Sequence, residues 1–99
     1  RDRLQRLFIE GLMELGTQFT TEERHAKAVE VYRRVLTRDD LNEDAVLALM
    51  LSQARLGERA QAIRIYQKFA ERMRRELDAE PGDELVELYE ELKEGTHSL

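Results

Sequence analysis

A chain of 99 residues with no cysteine cannot be held by disulfides, build a thiolate–zinc site or attack through a cysteine nucleophile. Its 41% apolar and 37% charged residues suit helices with one wet face rather than a two-sheet sandwich, and this length implies one domain with a modest core. The net charge of −5 is uneven: Glu76–Glu94 holds nine acids and one base, whereas the other residues hold 15 bases and 12 acids, which does not resemble the concentrated positive face of a nucleic-acid binder.

Five helical segments follow in order. Over Asp2–Phe19, Leu4, Leu7, Phe8, Gly11, Leu12, Leu15 and Phe19 recur at spacings of three and four, which places them on one face. Thr20-Thr21 interrupts the pattern, and the Thr21 hydroxyl is expected to cap the second helix. That helix runs to about Thr37 with Ala28, Val29, Tyr32, Val35 and Leu36 on its stripe, and Arg38-Asp39-Asp40 ends it. The third starts at an Asn42 cap, with Glu43 and Asp44 opposing the positive end of the helix dipole, and stops at Gly57, a residue suited to a left-handed cap. The fourth spans Glu58–Leu77, with Ala62, Ile63, Tyr66, Phe69, Ala70, Met73 and Leu77 inward. Pro81-Gly82 breaks the chain. Asp83 is expected to cap a fifth helix whose Leu85, Leu88, Tyr89 and Leu92 share a face, and residues 96–99 form a frayed tail beyond a domain spanning 1–95. No alternation argues for a strand. The longest apolar run, Ala45–Leu51, has seven residues against the roughly 20 that a membrane span requires, and no signal peptide is visible. The opening on Arg1 rather than Met is expected of a piece of a longer protein.

HAKAVEVY from His25 and RAQAIRIY from Arg59 are the same phrase 34 residues apart. At that offset Ala26 meets Ala60, Ala28 meets Ala62, Val29 meets Ile63, Val31 meets Ile65 and Tyr32 meets Tyr66, while upstream Leu12 meets Val46 and Leu15 meets Leu49. The repeated unit is therefore a helix–turn–helix, and its period is that of tetratricopeptide repeats. Ala28 and Tyr32 lie one turn apart; the alanine admits a neighbouring helix and the tyrosine fills the volume beyond it. One hairpin cannot bury its own apolar stripe, so hairpins stack. The expected fold is all-α: a tetratricopeptide-like right-handed stack of two hairpins, closed by the acidic fifth helix.

Two stretches are more specific: LNEDAVLALM from Leu41 and GERAQAIRIYQKFAERMRRELDAEPGDELVELYEEL from Gly57. With Asn42-Glu43, Leu49-Met50, Gly57, Ala60 and Ala62 through Tyr66, Glu76-Leu77, Glu80-Pro81, Leu88 and Tyr89, they resemble the bacterial transcriptional activator domain, the module that follows a DNA-binding winged helix in Streptomyces-type antibiotic regulators and related proteins. The resemblance is strong over Leu41–Leu92 and looser before it. Asp78 stands where the family usually has glycine, and Asp tolerates the left-handed conformation better than most residues. Glu23 stands where the second repeat has Gly57, so the first turn is expected to be built differently.

Little points to catalysis. His25 and His97 are far apart in sequence, and a metal needs three or four converging ligands; His25 beside Glu22 or Glu23 reads as a solvated residue. The carboxylates of the last segment read as a wet helix face, and no phosphate-cradling glycine motif occurs. The expectation is no enzyme, no cofactor and no metal. Arg64, Lys68, Arg72 and Arg75 form a basic stripe, which reads either as an electrostatic patch or, preferably, as surface solubility. In AVLALML, Val46, Leu49 and Met50 face the core, whereas Ala45, Leu47, Ala48 and Leu51 spill over the rest of the helix, and a helix apolar nearly all round is buried on several sides. The resemblance implies a concave groove faced by Leu47, Leu51 and Arg55, with Met13, Thr17 and Thr21 from the first helix. Equally, the first or fifth helix could fold over that surface and hide it.

The resemblance thus implies a cytoplasmic interaction or activation domain of a bacterial transcription regulator. Its partner would be a protein: its own twin as a homodimer, the adjacent winged-helix domain, or a subunit of RNA polymerase. It would make no direct contact with nucleic acid or membrane. A stand-alone peptide-gripping scaffold and a purely dimerising spacer are the alternatives.

Overall fold

The computed structural model describes residues 2–95; the expected tail at 96–99, with His97, lies outside them. All regular structure among the described residues is helical: α1 (Asp2–Thr21), α2 (His25–Arg38), α3 (Glu43–Arg55), α4 (Arg59–Leu77) and α5 (Asp83–Glu94). Each helix packs on the next in sequence, and α5 also touches α3. The result is a tetratricopeptide-like stack of two hairpins and a terminal helix, 42 × 37 × 18 Å in extent. Its thinnest dimension is about two helix diameters.

The two hairpins turn in the same way. In the first, Glu23 N–H donates to the Thr20 carbonyl (2.9 Å) and Arg24 N–H to the Phe19 carbonyl (2.8 Å); in the second, Gly57 N–H donates to Ala54 (3.0 Å) and Glu58 N–H to Gln53 (2.8 Å). These bonds coincide at the offset of 34. Glu23 (φ 59°) and Gly57 (φ 77°) both adopt the left-handed conformation. The expectation of a different first turn is therefore corrected: the backbone bonds dictate the geometry, and Glu23 takes a conformation that glycine adopts more readily.

Two expected caps are also corrected. Thr21 belongs to α1, and its hydroxyl donates to the Thr17 carbonyl at 3.0 Å; Arg24 precedes α2 without a side-chain cap. Gly82, not Asp83, stands at the N-cap of α5, and its N–H donates to Glu43 Oε2 at 2.6 Å. The Glu43 carboxylate thus ties the start of α5 to the start of α3, at a helix end that favours negative charge. Asn42 caps α3 as expected, accepting from Ala45 N–H at 3.0 Å. Asp78 ends α4 in the left-handed region (φ 51°, ψ 45°). Beyond it Glu80 folds back onto Arg74 in a bidentate pair (2.8–3.0 Å), and this hydrogen bonding holds the Glu80 carboxyl below its ordinary value of 4.5.

The core follows the repeat. Ala28 and Ala62 are both fully buried, and Tyr32 and Tyr66 nearly so. A Cβ placed on Gly16 would overlap the Tyr32 ring, so that glycine is what lets α1 and α2 approach closely. Tyr66 stacks on Tyr89 with centroids 4.0 Å apart and rings 7° from parallel, which joins α4 to α5, and burial pushes its phenol up from 10.0. Leu85, Leu88 and Leu92 of α5 close one cluster with Val46, Met50 and Phe69, and the Arg59 guanidinium donates to the carbonyl of Leu92. Gln53, the repeat partner of Phe19, is fully buried, and its amide finds no hydrogen-bond partner among the described residues.

The equivalence of the repeats fails at one end. Leu49 is fully buried, but its counterpart Leu15 is 37% exposed, as is Phe8, and Leu4 and Leu7 are exposed at 72% and 53%. The whole stripe of α1 reads as core-facing in the sequence, yet only Leu12 and Gly16 of this helix are buried. No helix lies in front of α1 among the described residues as α1 and α2 lie in front of α3.

Candidate functional site

A groove of about 750 Å³ opens between α1 and α3. Each wall is one helix stripe. Thr17, Thr20 and Thr21 of α1 stand at i, i+3 and i+4, and Ala48, Leu51, Ser52 and Arg55 of α3 at i, i+3, i+4 and i+7. The α1–α2 turn closes one end with Glu23 and His25, and Tyr32 reaches the floor from α2.

Two of the threonine hydroxyls are engaged as donors within their own helix, Thr20 to the Gly16 carbonyl (2.9 Å) and Thr21 to Thr17 (3.0 Å); their oxygens still present acceptor lone pairs. Arg55 and Glu23 have no ion pair or hydrogen bond through their side chains among the described residues. His25 is half-buried, and its Nδ1 is buried without a partner, which corrects its reading as a solvated side chain: the tight turn folds it against the end of α1. Leu51 is 38% exposed, so neither α1 nor α5 covers it. The groove therefore offers an apolar floor, hydroxyl acceptors and one charge of each sign. These groups can hold a polypeptide segment, but they do not include the adjacent base and nucleophile that covalent catalysis uses.

Of the six groove positions implied by resemblance, Thr17, Thr21, Leu51 and Arg55 line this cavity. Met13 and Leu47 are half-buried instead, Met13 against the clusters around Leu12 and Leu49 and Leu47 against the cluster that includes α5. They continue the same stripes one turn earlier, where each side chain packs against a buried cluster instead of facing the cavity. Thr20, Ala48 and Ser52 had a legible signal, since each lies three or four residues from a named position. Glu23, His25 and Tyr32 had none, because only the folded turn brings them to the groove.

The basic stripe on α4 is half neutralised: Arg72 pairs with Asp40 (3.3 Å) and Glu76 (3.7 Å), and Arg75 with Glu71 (3.0 Å). Exposed pairs of this kind contribute about 0–1 kcal/mol. Among the described residues no three histidine or carboxylate side chains converge as a metal site, and no helix is long and apolar enough to cross a membrane.

Stacked helical hairpins with an open groove between their first helices define a helical-repeat domain of tetratricopeptide type. The family model of the bacterial transcriptional activator domain matches residues 1–93. The chain belongs to that family, which is one of transcription-regulator domains and not an enzyme family. Comparisons with curated proteins and with solved structures found no match.

Proposed function

We propose that this domain is the protein-contacting part of a cytoplasmic bacterial transcription regulator, and that the α1–α3 groove receives a segment of its partner, either the adjacent winged-helix domain or a subunit of RNA polymerase. The observation that carries the reading is a groove left open between the hairpins, with Arg55 and Glu23 unpaired at its rim and Leu51 uncovered. An unpaired charge beside an uncovered apolar side chain gives orientation as well as affinity to an incoming polypeptide. DNA binding is left to another domain: the basic residues of α4 are partly paired, and α5 is acidic in both its first and middle turns. No enzymatic step is assigned.

Two measurements test this. In a gel-shift assay at physiological salt the isolated 99-residue chain should leave promoter DNA unshifted; a specific shift would overturn the division of labour. In the complete regulator, Arg55→Glu should lower reporter activation about tenfold or more, the loss expected when a charge-assisted contact worth ~1.4 kcal/mol or more is reversed. Promoter occupancy should stay intact. Unchanged activation would remove the groove from the mechanism.

A further inference from the structure

At the turn end of the groove one residue is held against its own backbone preference. Glu23 takes the left-handed conformation (φ 59°) where the second turn has Gly57, and strain of this kind beside a cavity points to a use for the side chain. Glu23 lines the groove, and no ion pair or hydrogen bond engages its carboxylate among the described residues. The next residue does not neutralise it: Arg24 pairs with Glu22 (3.6 Å) and lies 4.9 Å from the Phe19 ring centroid. Around Glu23 stand acceptors. The hydroxyl hydrogens of Thr20 and Thr21 are taken by carbonyls of α1 (2.9 and 3.0 Å), so toward the cavity these side chains offer only lone pairs. Both belong to the last turn of α1, which holds no basic residue and carries the negative end of the helix dipole. Tyr32 and Ser52, each 3% exposed, line the same cavity with hydroxyls that no hydrogen bond engages among the described residues, and a buried hydroxyl gains by finding a partner.

We infer that the α1 side of this turn end is the seat of a basic side chain, an arginine or lysine of the segment that the groove receives, with Glu23 as its counter-charge. The inference rests on the groove reading proposed above and adds the chemistry of the occupant. A cation at Glu23 meets a carboxylate, two hydroxyl oxygens and the end of α1, whereas the α3 wall presents Arg55 and repels it. The segment therefore lies with its basic residue toward α1 and an acidic or carbonyl group toward Arg55, and the two opposite charges fix its direction. Glu23→Gly relaxes the turn and removes the counter-charge in one step, so stability and binding should move in opposite directions at this position.

Two experiments test the inference. In the first, the 99-residue chain is titrated with N-acetyl-argininamide and followed by amide NMR. Shifts should saturate at roughly millimolar probe and centre on Thr20, Thr21, Glu23 and His25. The uncharged analogue N-acetyl-citrullinamide should not reproduce them, Glu23→Gln should weaken the binding about tenfold, and Arg55→Ala should leave it intact or tighten it. No saturable shift, an equal response to the uncharged analogue, or full binding by Glu23→Gln would overturn the seat. In the second, Glu23→Gly and Arg55→Glu are compared in the complete regulator. Glu23→Gly should raise the thermal midpoint of the domain and still lower activation about tenfold. Activation lost with Arg55→Glu but complete with Glu23→Gly would overturn the inference and leave the groove reading standing. Full activation by both variants, with the probe still bound in a Glu23-dependent way, would contradict the groove reading and leave the seat.

Discussion

Glu23 does the work of a glycine. It sits at φ 59°, matching Gly57 at φ 77° in the second turn, and an L residue in that region costs roughly 1–2 kcal/mol relative to an unstrained conformation. Glu23→Gly is expected to stabilise the domain by about 1 kcal/mol, seen as a rise of about 4–8 °C in thermal midpoint for a domain of this size. Gly16 is the opposite case. Alanine is the better helix former by about 1 kcal/mol, but its Cβ would overlap the buried Tyr32 ring, and overpacking costs about 1–3 kcal/mol. Gly16→Ala should therefore lower the midpoint in urea, and a rise would mean that α1 and α2 are less tightly apposed. At the end of α4, the Arg74 hydrogen bonds hold the Glu80 carboxyl below its ordinary value. A group whose pKa is lowered by folding stabilises the native state above its unfolded pKa and loses that contribution as pH falls through the folded value. Side-chain NMR should show Glu80 titrating below 4.5 and returning to the usual range in Arg74→Ala.

At the scale of the helix, α5 decides whether the second hairpin is closed. Leu85, Leu88 and Leu92 bury against Val46, Met50 and Phe69, and the Tyr66–Tyr89 stack and the Glu43–Gly82 bond fix its position. Leu85→Ala should cost about 2–5 kcal/mol, as for other fully buried leucines, with a matching fall in denaturant midpoint. A cost below 1 kcal/mol would show α5 to be only loosely attached. The helices themselves were legible in the sequence because each has apolar spacings of three and four bounded by a polar, glycine or proline break. What was not legible were contacts across the chain. Thr21 lies inside α1 because a backbone turn at Glu23 ends that helix later than the threonine pair suggested. Asp83 is no cap because Gly82 takes that place and Glu43, 39 residues earlier, supplies the carboxylate. Nor could spacing alone show that Leu4, Leu7 and Leu15 lie outside the core, since periodicity identifies an apolar face without saying what covers it.

Over the whole molecule, the period of 34 was the strongest signal, and the structure carries it down to single backbone hydrogen bonds. The groove was partly readable: four of the six positions line it, while Met13 and Leu47 pack against buried clusters. In the function proposed above, the groove serves binding and not stability. Leu51, 38% exposed on its wall, separates the two. With Leu51→Arg in the complete regulator, thermal melting of the domain and promoter activation should be measured side by side. An unchanged thermal midpoint together with loss of activation is expected. Unfolding of the domain would make Leu51 part of the core, and full activation by a folded variant would show that the groove receives nothing.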